Sequence, residues 1–260
     1  MNTKKRFDFF LLATYFCCIS VYMLWSRSGY VVGTILFFYL PALYLTIRRW
    51  KEYKHAILFS LVVGFAMGLY LEGVSAINSV WTWKPYFEHI KLGPVFLIAI
   101  PWYICWVWIV ISVWKVFFDR RHHQRREGGV IRRHLLFLIP LISFIILLLY
   151  VLVVVPHVFA LPYAYLIFGG IIFILPILFI VWRHKDLIPR LLKLATVLSI
   201  FFLIYEIIGV YLGQWRYDGL FIGVVNIFAT KIPIEELVLW VFLGSMTIAV
   251  WYEEFENNLT

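Results

Sequence analysis

Apolar stretches of about 20 residues, the length a helix needs to cross a bilayer core, recur along the chain with short polar stretches between them. They fall at Phe9–Trp25, Tyr30–Ile47, Ala56–Ile77, Leu92–Phe118, Leu135–Val155, Tyr163–Trp182, Leu194–Leu212 and Ile232–Trp251. The pattern predicts an all-α integral membrane protein with about eight transmembrane helices. The run from Leu220 to Thr230 is apolar but too short to span, and predicts an interfacial or re-entrant piece before the last helix. No small-residue cleavage site stands out after the first run, which is expected to be a retained helix.

Composition agrees with the pattern. Of 260 residues, 63% are hydrophobic and 14% charged, where a soluble domain has about a quarter charged. The net charge of +9 does not point to nucleic acid. Its cations cluster between the apolar runs, at Lys4–Arg6, Arg48–Lys54, Arg120–Arg133 and Arg183–Lys193, with few in the alternate loops, where Lys84 and Lys91 make the third the richest. By the positive-inside rule this places both termini in the cytoplasm of a multi-pass cell-membrane protein, and the acidic residues from Glu253 to Glu256 read as a tail that does not overturn it. Cys17, Cys18 and Cys105 lie in apolar runs without metal-ligand spacing, and no metal or nucleotide motif is visible.

The chain repeats itself. Leu40-Pro41-x-Leu43 with Arg48 returns as Leu175-Pro176-x-Leu178 with Arg183, 135 residues on; Glu72, Trp81 and Trp83 return as Glu206, Trp215 and Tyr217, 134 on; Pro101 returns as Pro233, 132 on. This predicts two four-helix repeats, residues 1–134 and 135–260. Because each has an even number of helices, they are parallel repeats related by an axis along the membrane normal.

The candidate chemistry lies in carboxyls placed where water is scarce. Glu235 and Glu236 are adjacent, just after Pro233, inside apolar sequence. With 1.5 Å of rise per residue, Glu206 lies about 9 Å from the outer end of its helix and Glu235 about 5 Å below the start of the next. These three acids are expected at one level near the outer leaflet, with Glu72 at a similar depth. An ionised carboxylate at mid-bilayer costs roughly 3 kcal/mol, and intramembrane ionisable residues are functional by default. Two adjacent acids oppose each other's charge, so one can keep a proton while the other is ionised, the pair that acid–base chemistry needs. Pro233 is expected in the first helical turn, where its missing N–H costs nothing. The structural alternative is an ion pair of Lys231 with Glu235 at i,i+4. Trp81, Trp83, Trp215 and Tyr217 also suit interface anchors.

The second half resembles the lycopene cyclase domain of the heterodimeric and fused carotenoid cyclases of bacteria, archaea and fungi. The resemblance rests on Leu175-Pro176, Trp215-x-Tyr217 and above all Pro233-Ile234-Glu235-Glu236, which fits that family's Pro-x-Glu-Glu/Asp motif. It covers Tyr163 to Trp251, and the first half joins it through the repeat but has Pro101-Trp102-Tyr103-Ile104 in place of the motif. The resemblance implies a membrane enzyme, an isomerase that needs no cofactor: an acid protonates a terminal double bond of lycopene or a related polyene, a ring closes through a carbocation, and a base removes a proton. Glu235 and Glu236 would supply the acid or base, with Glu206 as an inferred partner. Trp215, Tyr217, Pro233, Glu72, Trp81 and Trp83 are candidate substrate-binding residues. The partners are a hydrophobic carotenoid within the bilayer and membrane lipids, with homo-oligomers left open and no nucleic acid.

The run Glu72-Gly73-Val74 with Trp81-x-Trp83 and Pro101 is also similar to the membrane carotenoid hydratases, in which water captures the cation. Parallel repeats with membrane-embedded acids also suit a carrier of apolar molecules or protons. A lipid-binding or assembly protein is a third alternative.

Overall fold

The computed structural model describes residues 3–48, 54–83, 90–119, 143–183 and 185–257. The basic positions Arg49, Lys51 and Lys84, the connecting stretch 120–134 and the start of the fifth apolar run lie outside these residues. So does the side chain of Arg183.

Among the described residues six helices are long and apolar enough to cross a membrane: α1 Thr3–Ser26, α2 Tyr30–Ile47, α3 His55–Asn78, α4 Leu97–Phe118, α7 Lys185–Tyr211 and α8 Glu236–Glu256. Two shorter apolar helices are α5 Ser143–Val154 and α6 Tyr165–Phe179. This is the constitution of a helical membrane protein. Large apolar side chains such as Phe10, Trp25, Leu147 and Trp182 are exposed on the outside of the bundle, the arrangement that a hydrocarbon solvent permits.

The tightest helix approach has a cause in the sequence. Gly64 and Gly68, four residues apart on α3, lie on α4: a Cβ on Gly64 would stand 2.6 Å from the Cα of Ile104, and one on Gly68 would stand 2.8 Å from the Ile100 side chain. Small residues at this spacing let helix backbones meet closely without an apolar driving force. Around this pair the core is aromatic, with Phe37, Phe38, Trp106, Trp114, Phe173, Tyr205 and Tyr252 fully buried.

Among the described residues six short strands interrupt the helical pattern: β1 Trp81–Trp83, β2 Lys91–Leu92, β3 Val95–Phe96, β4 Trp215–Tyr217, β5 Val224–Ile227 and β6 Thr230–Pro233. Together with the helix bounds they refine five expectations. The fourth apolar run opens with the β2–β3 hairpin, because Gly93 at φ +57° and Pro94 turn the chain back, and α4 begins only at Leu97. The Leu220–Thr230 run supplies β5, paired antiparallel with β6 across a turn at Phe228 and Ala229, so the backbone of Val224–Ile227 is paired within a hairpin. Pro233 therefore ends a strand and does not sit in the first turn of a helix. Finally, α8 continues to Glu256, so Glu253 and Glu256 are buried helical residues and not a tail. Similarly, α7 starts at Lys185, so Arg190 and Lys193 belong to a helix.

Candidate active site

The site is assembled where α3 and α7 end. Each helix closes with the same local device. Ser79 adopts φ +51° and Val80 N–H donates to the carbonyl of Ser75 at 3.0 Å; Gly213 adopts φ +63° and Gln214 N–H donates to the carbonyl of Gly209 at 2.9 Å. The turn releases β1 in one case and β4 in the other. These strands pair antiparallel, Trp81 with Tyr217, Thr82 with Arg216, and Trp83 with Trp215.

Side chains alternate across a strand, so the pair has two faces. On the exposed face Thr82 Oγ1 donates to Asp218 Oδ2 at 2.6 Å, and Arg216 Nε donates to the same carboxylate at 2.8 Å. This hydroxyl, with the guanidinium behind it, holds the Asp218 carboxyl below its ordinary range. On the inner face the four aromatic residues turn their polar atoms to two buried carboxylates. Glu72 accepts from Trp81 Nε1 at 3.3 Å, Trp83 Nε1 at 3.0 Å and the Tyr103 hydroxyl at 3.0 Å. Glu206 accepts from Trp215 Nε1 at 2.8 Å and the Tyr217 hydroxyl at 2.5 Å, both on one oxygen. These aromatics are thus internal hydrogen-bond donors to the carboxylates, a role the interface-anchor alternative does not include.

A cavity of about 40 Å³ opens between the two half-sites, lined by Leu71, Glu206, Glu236 and a wall of tyrosine and tryptophan rings. Trp81, Trp83, Trp215 and Tyr217 belong to that wall, and Glu72 stands behind it. Glu72 is therefore a positioning residue for the indoles and does not line the cavity.

The adjacent acids separate. Both are buried, but only Glu236 lines the cavity. The hydroxyls of Tyr165 and Tyr217 face it, and its neighbours include Glu206. Burial first, then the charges of Glu206 and Glu236, push the Tyr217 hydroxyl well above its ordinary value, so Tyr217 remains a proton-bearing bridge between two carboxyls. Glu235 turns toward the chain that leads into β5 and accepts from Ile222 N–H at 2.6 Å, while Ile234 N–H donates to the carbonyl of Gly223 at 3.0 Å. Glu235 thereby ties the β5–β6 hairpin to the start of α8. The i,i+4 pairing with Lys231 does not form: Lys231 is exposed on strand β6, where that spacing does not bring side chains together. Pro233 closes β6 opposite Val224 and is not part of the cavity wall.

Several wall residues had no distinguishing mark in the sequence. Trp102, Tyr103, Tyr205 and Trp240 are aromatics in apolar helices, a category with many members here. Trp240 is stacked on Phe202 at 5.4 Å, and Trp102 lies 5.4 Å from Trp240. Tyr30 and Tyr165 did carry a signal, since they repeat at the same 135-residue offset as the Leu-Pro elements.

A second buried polar group lies at the far end of α8. Trp114 Nε1 donates to Glu253 Oε1 at 2.7 Å, and Lys115 Nζ pairs with Glu256 Oε1 at 2.8 Å. Asp119, Glu253 and Glu256 bring carboxylate oxygens within 4.8 Å of one another. Lys115 supplies positive charge there, and all three acids have further interactions.

Rings facing inward around two carboxyls can do specific chemistry: the carboxyls exchange protons, and the ring faces stabilise a cation. No protein-family model, curated protein or solved structure matches the chain.

Proposed function

We propose that the chain is a membrane carotenoid cyclase of the lycopene type, acting without a cofactor on the linear end group of lycopene or a related polyene within the bilayer. We read it as an eight-span protein of two parallel four-helix repeats, residues 1–134 and 135–260, with both termini cytoplasmic. The matched helix-end turns and the matched carboxylate–aromatic contacts, at sequence separations of 9 and 11 in both halves, support the repeat. The observation that carries the functional reading is that Glu206 and Glu236 line one aromatic cavity and share Tyr217.

In this reading Glu236 carries the proton and delivers it to the terminal double bond. The cation that results is attacked by a nearby double bond of the same chain, which closes the ring. The ring faces of Trp102, Trp240 and their neighbours stabilise the positive charge. Glu206, held by the Trp215 N–H and the Tyr217 hydroxyl, takes a proton from a carbon beside the cation. One proton enters and one leaves, so the product has the mass of the substrate. At about 40 Å³ the cavity is smaller than the roughly 150 Å³ that admits benzene elsewhere, so the wall has to part for an end group. α8 opens with a nine-residue π-helical segment, Glu236–Gly244, carrying both Glu236 and Trp240. A shorter π-helical segment, Tyr165–Gly169, carries the wall residue Tyr165, and such segments are often found at functional sites.

A hydratase acting on the same end group is the second reading. It is favoured by buried polar atoms on the cavity wall without partners among the described residues, including Glu236 Oε2 and Trp240 Nε1. Expression in cells that accumulate lycopene, followed by chromatography and mass analysis of the pigments, tests both. A ring-containing product of unchanged mass supports the cyclase, a gain of water supports the hydratase, and unaltered lycopene with inserted protein rejects both.

A further inference from the structure

Four side chains that line the aromatic cavity carry buried polar atoms with no hydrogen-bond partner among the described residues. They are Glu236 Oε2, the Tyr205 hydroxyl, Trp102 Nε1 and Trp240 Nε1. Each of these residues is at least nine-tenths buried. The Tyr205 hydroxyl lies near the Thr34 hydroxyl and the Trp102 indole nitrogen but outside hydrogen-bond geometry with either. Most buried polar groups in proteins are paired, and although other exceptions occur elsewhere in the bundle, these four meet at one cavity.

The cavity volume supplies a common cause. At about 40 Å³ it is too small for a hydrocarbon end group, whereas one water needs only about 10–15 Å³ and two to four polar partners. The partners also match in kind. A carboxyl oxygen accepts, an indole N–H can only donate, and a tyrosine hydroxyl does both. Water can satisfy all of them at once; an alkyl chain satisfies none.

We infer that the cavity binds a small cluster of ordered water, roughly three molecules by its volume, which connects Glu236 to Tyr205 and to the indoles of Trp102 and Trp240. The cluster is a built part of the site. It gives Glu236 a route for exchanging its proton while the rings keep bulk solvent out. An entering end group must displace it, and any molecule left behind lies beside the position where a cation forms.

The inference stands on the cavity and does not need the polyene reading, so the two can fail separately. It is tested on the full-length protein in lipid nanodiscs by infrared difference spectroscopy in H₂¹⁶O and H₂¹⁸O, with a structure at a resolution that shows water. The expected result is an O–H band that shifts with the heavy isotope and changes in Glu236→Gln and Trp240→Phe. The structure should show water within hydrogen-bond distance of Glu236 Oε2. Absence of an isotope-sensitive band, or density for a lipid chain or for direct pairing of these four atoms with protein groups, overturns it. If the Trp240 variant fails to insert, Glu236→Gln alone decides the band assignment. Water present with no turnover of polyenes would count against the cyclase and leave this inference standing.

Discussion

Glu72 and Glu206 stand at equivalent places in the chain and have different surroundings. Each accepts hydrogen bonds from aromatic residues 9 and 11 positions later, and each lies just before the same helix-end turn. Glu72 takes a third bond from Tyr103 and is sealed behind the cavity wall. Glu206 is open to the cavity and meets a second acid, Glu236. One carboxylate is locked by three donors, whereas the other has both of its donors on one oxygen and faces a cavity with a second acid. In the proposed duplicated unit, the first copy would serve as scaffold and the second would carry the chemistry.

The largest effect should come from exchanging the acids for amides. Glu236→Gln should lower polyene turnover by about 10²–10⁴-fold, the usual contribution of a general acid, with unchanged insertion and thermal midpoint. Glu72→Gln should act in the opposite way. It puts an amide N–H among three donors and should cost about 1–3 kcal/mol of stability, lowering activity only as far as folded protein is lost. Pigment yield and thermal melting of both variants, measured together, separate the two. Equal losses of turnover per folded molecule would abolish the contrast.

A second pair compares the helix-end turns. A Cβ on Gly209 would stand 2.0 Å from the Trp215 ring, so Gly209→Ala should push that indole away from Glu206 at about 1–3 kcal/mol, the range for overpacking. At the equivalent place in the first half, Ser75 donates to the carbonyl of Trp81 at 3.3 Å and accepts from the Trp81 N–H at 3.1 Å. Ser75→Ala removes both bonds and should cost about 1–3 kcal/mol with turnover per folded molecule retained, whereas Gly209→Ala should lower that turnover as well. Equal turnover per folded molecule in the two variants would show that the two turns do not bear on their carboxylates as described.

Smaller still is Tyr103→Phe, which leaves Glu72 with two indole donors and should cost about 1 kcal/mol with turnover retained. In the second half the hydroxyl that bonds the carboxylate is that of Tyr217, which stands where the first half has Trp83 and also faces Glu236, so Tyr217→Phe should reduce turnover more than stability. The smallest effect lies on the exposed face. Thr82 and then Arg216 hold the Asp218 carboxyl below its ordinary range. A depressed value in the folded state adds stability above the unfolded value, about 3.9, and that contribution fades as pH falls through the folded value. Because the group is exposed, Asp218→Asn should remove less than about 1 kcal/mol at neutral pH and almost nothing in acid. Acid titration of the melting temperature checks the sign.

Much of this comparison was legible in the residues. The near-constant offsets joined Glu72 to Glu206 and Trp81-x-Trp83 to Trp215-x-Tyr217, and charged residues in apolar sequence are conspicuous. The hairpins were not legible, because a window of 20 residues averages strands of two to four into the adjoining helix. Gly93-Pro94 and the polar step at Asn226 were the local marks that such a window hides. The division of labour between Glu235 and Glu236 was equally hidden. Adjacent residues differ in direction by an amount that depends on where the helix starts, and β6 moves that start past Pro233. The aromatic wall was hidden by abundance: with 20% aromatic residues, another tryptophan in a helix distinguishes nothing until its neighbours are known. The Gly64 and Gly68 spacing was a readable sign of the closest helix contact.

The central claim is that a carboxyl of the second half gives its proton to the polyene, and solvent deuterium tests it most directly. Membranes containing the protein are supplied with lycopene in D₂O, and the product is analysed by mass. A proton that passes through Glu236 exchanges with solvent, so each ring formed should gain about one mass unit from the wild-type protein, with no such product from Glu236→Gln. Rings formed without deuterium, or labelled rings formed at full rate by Glu236→Gln, would contradict the account.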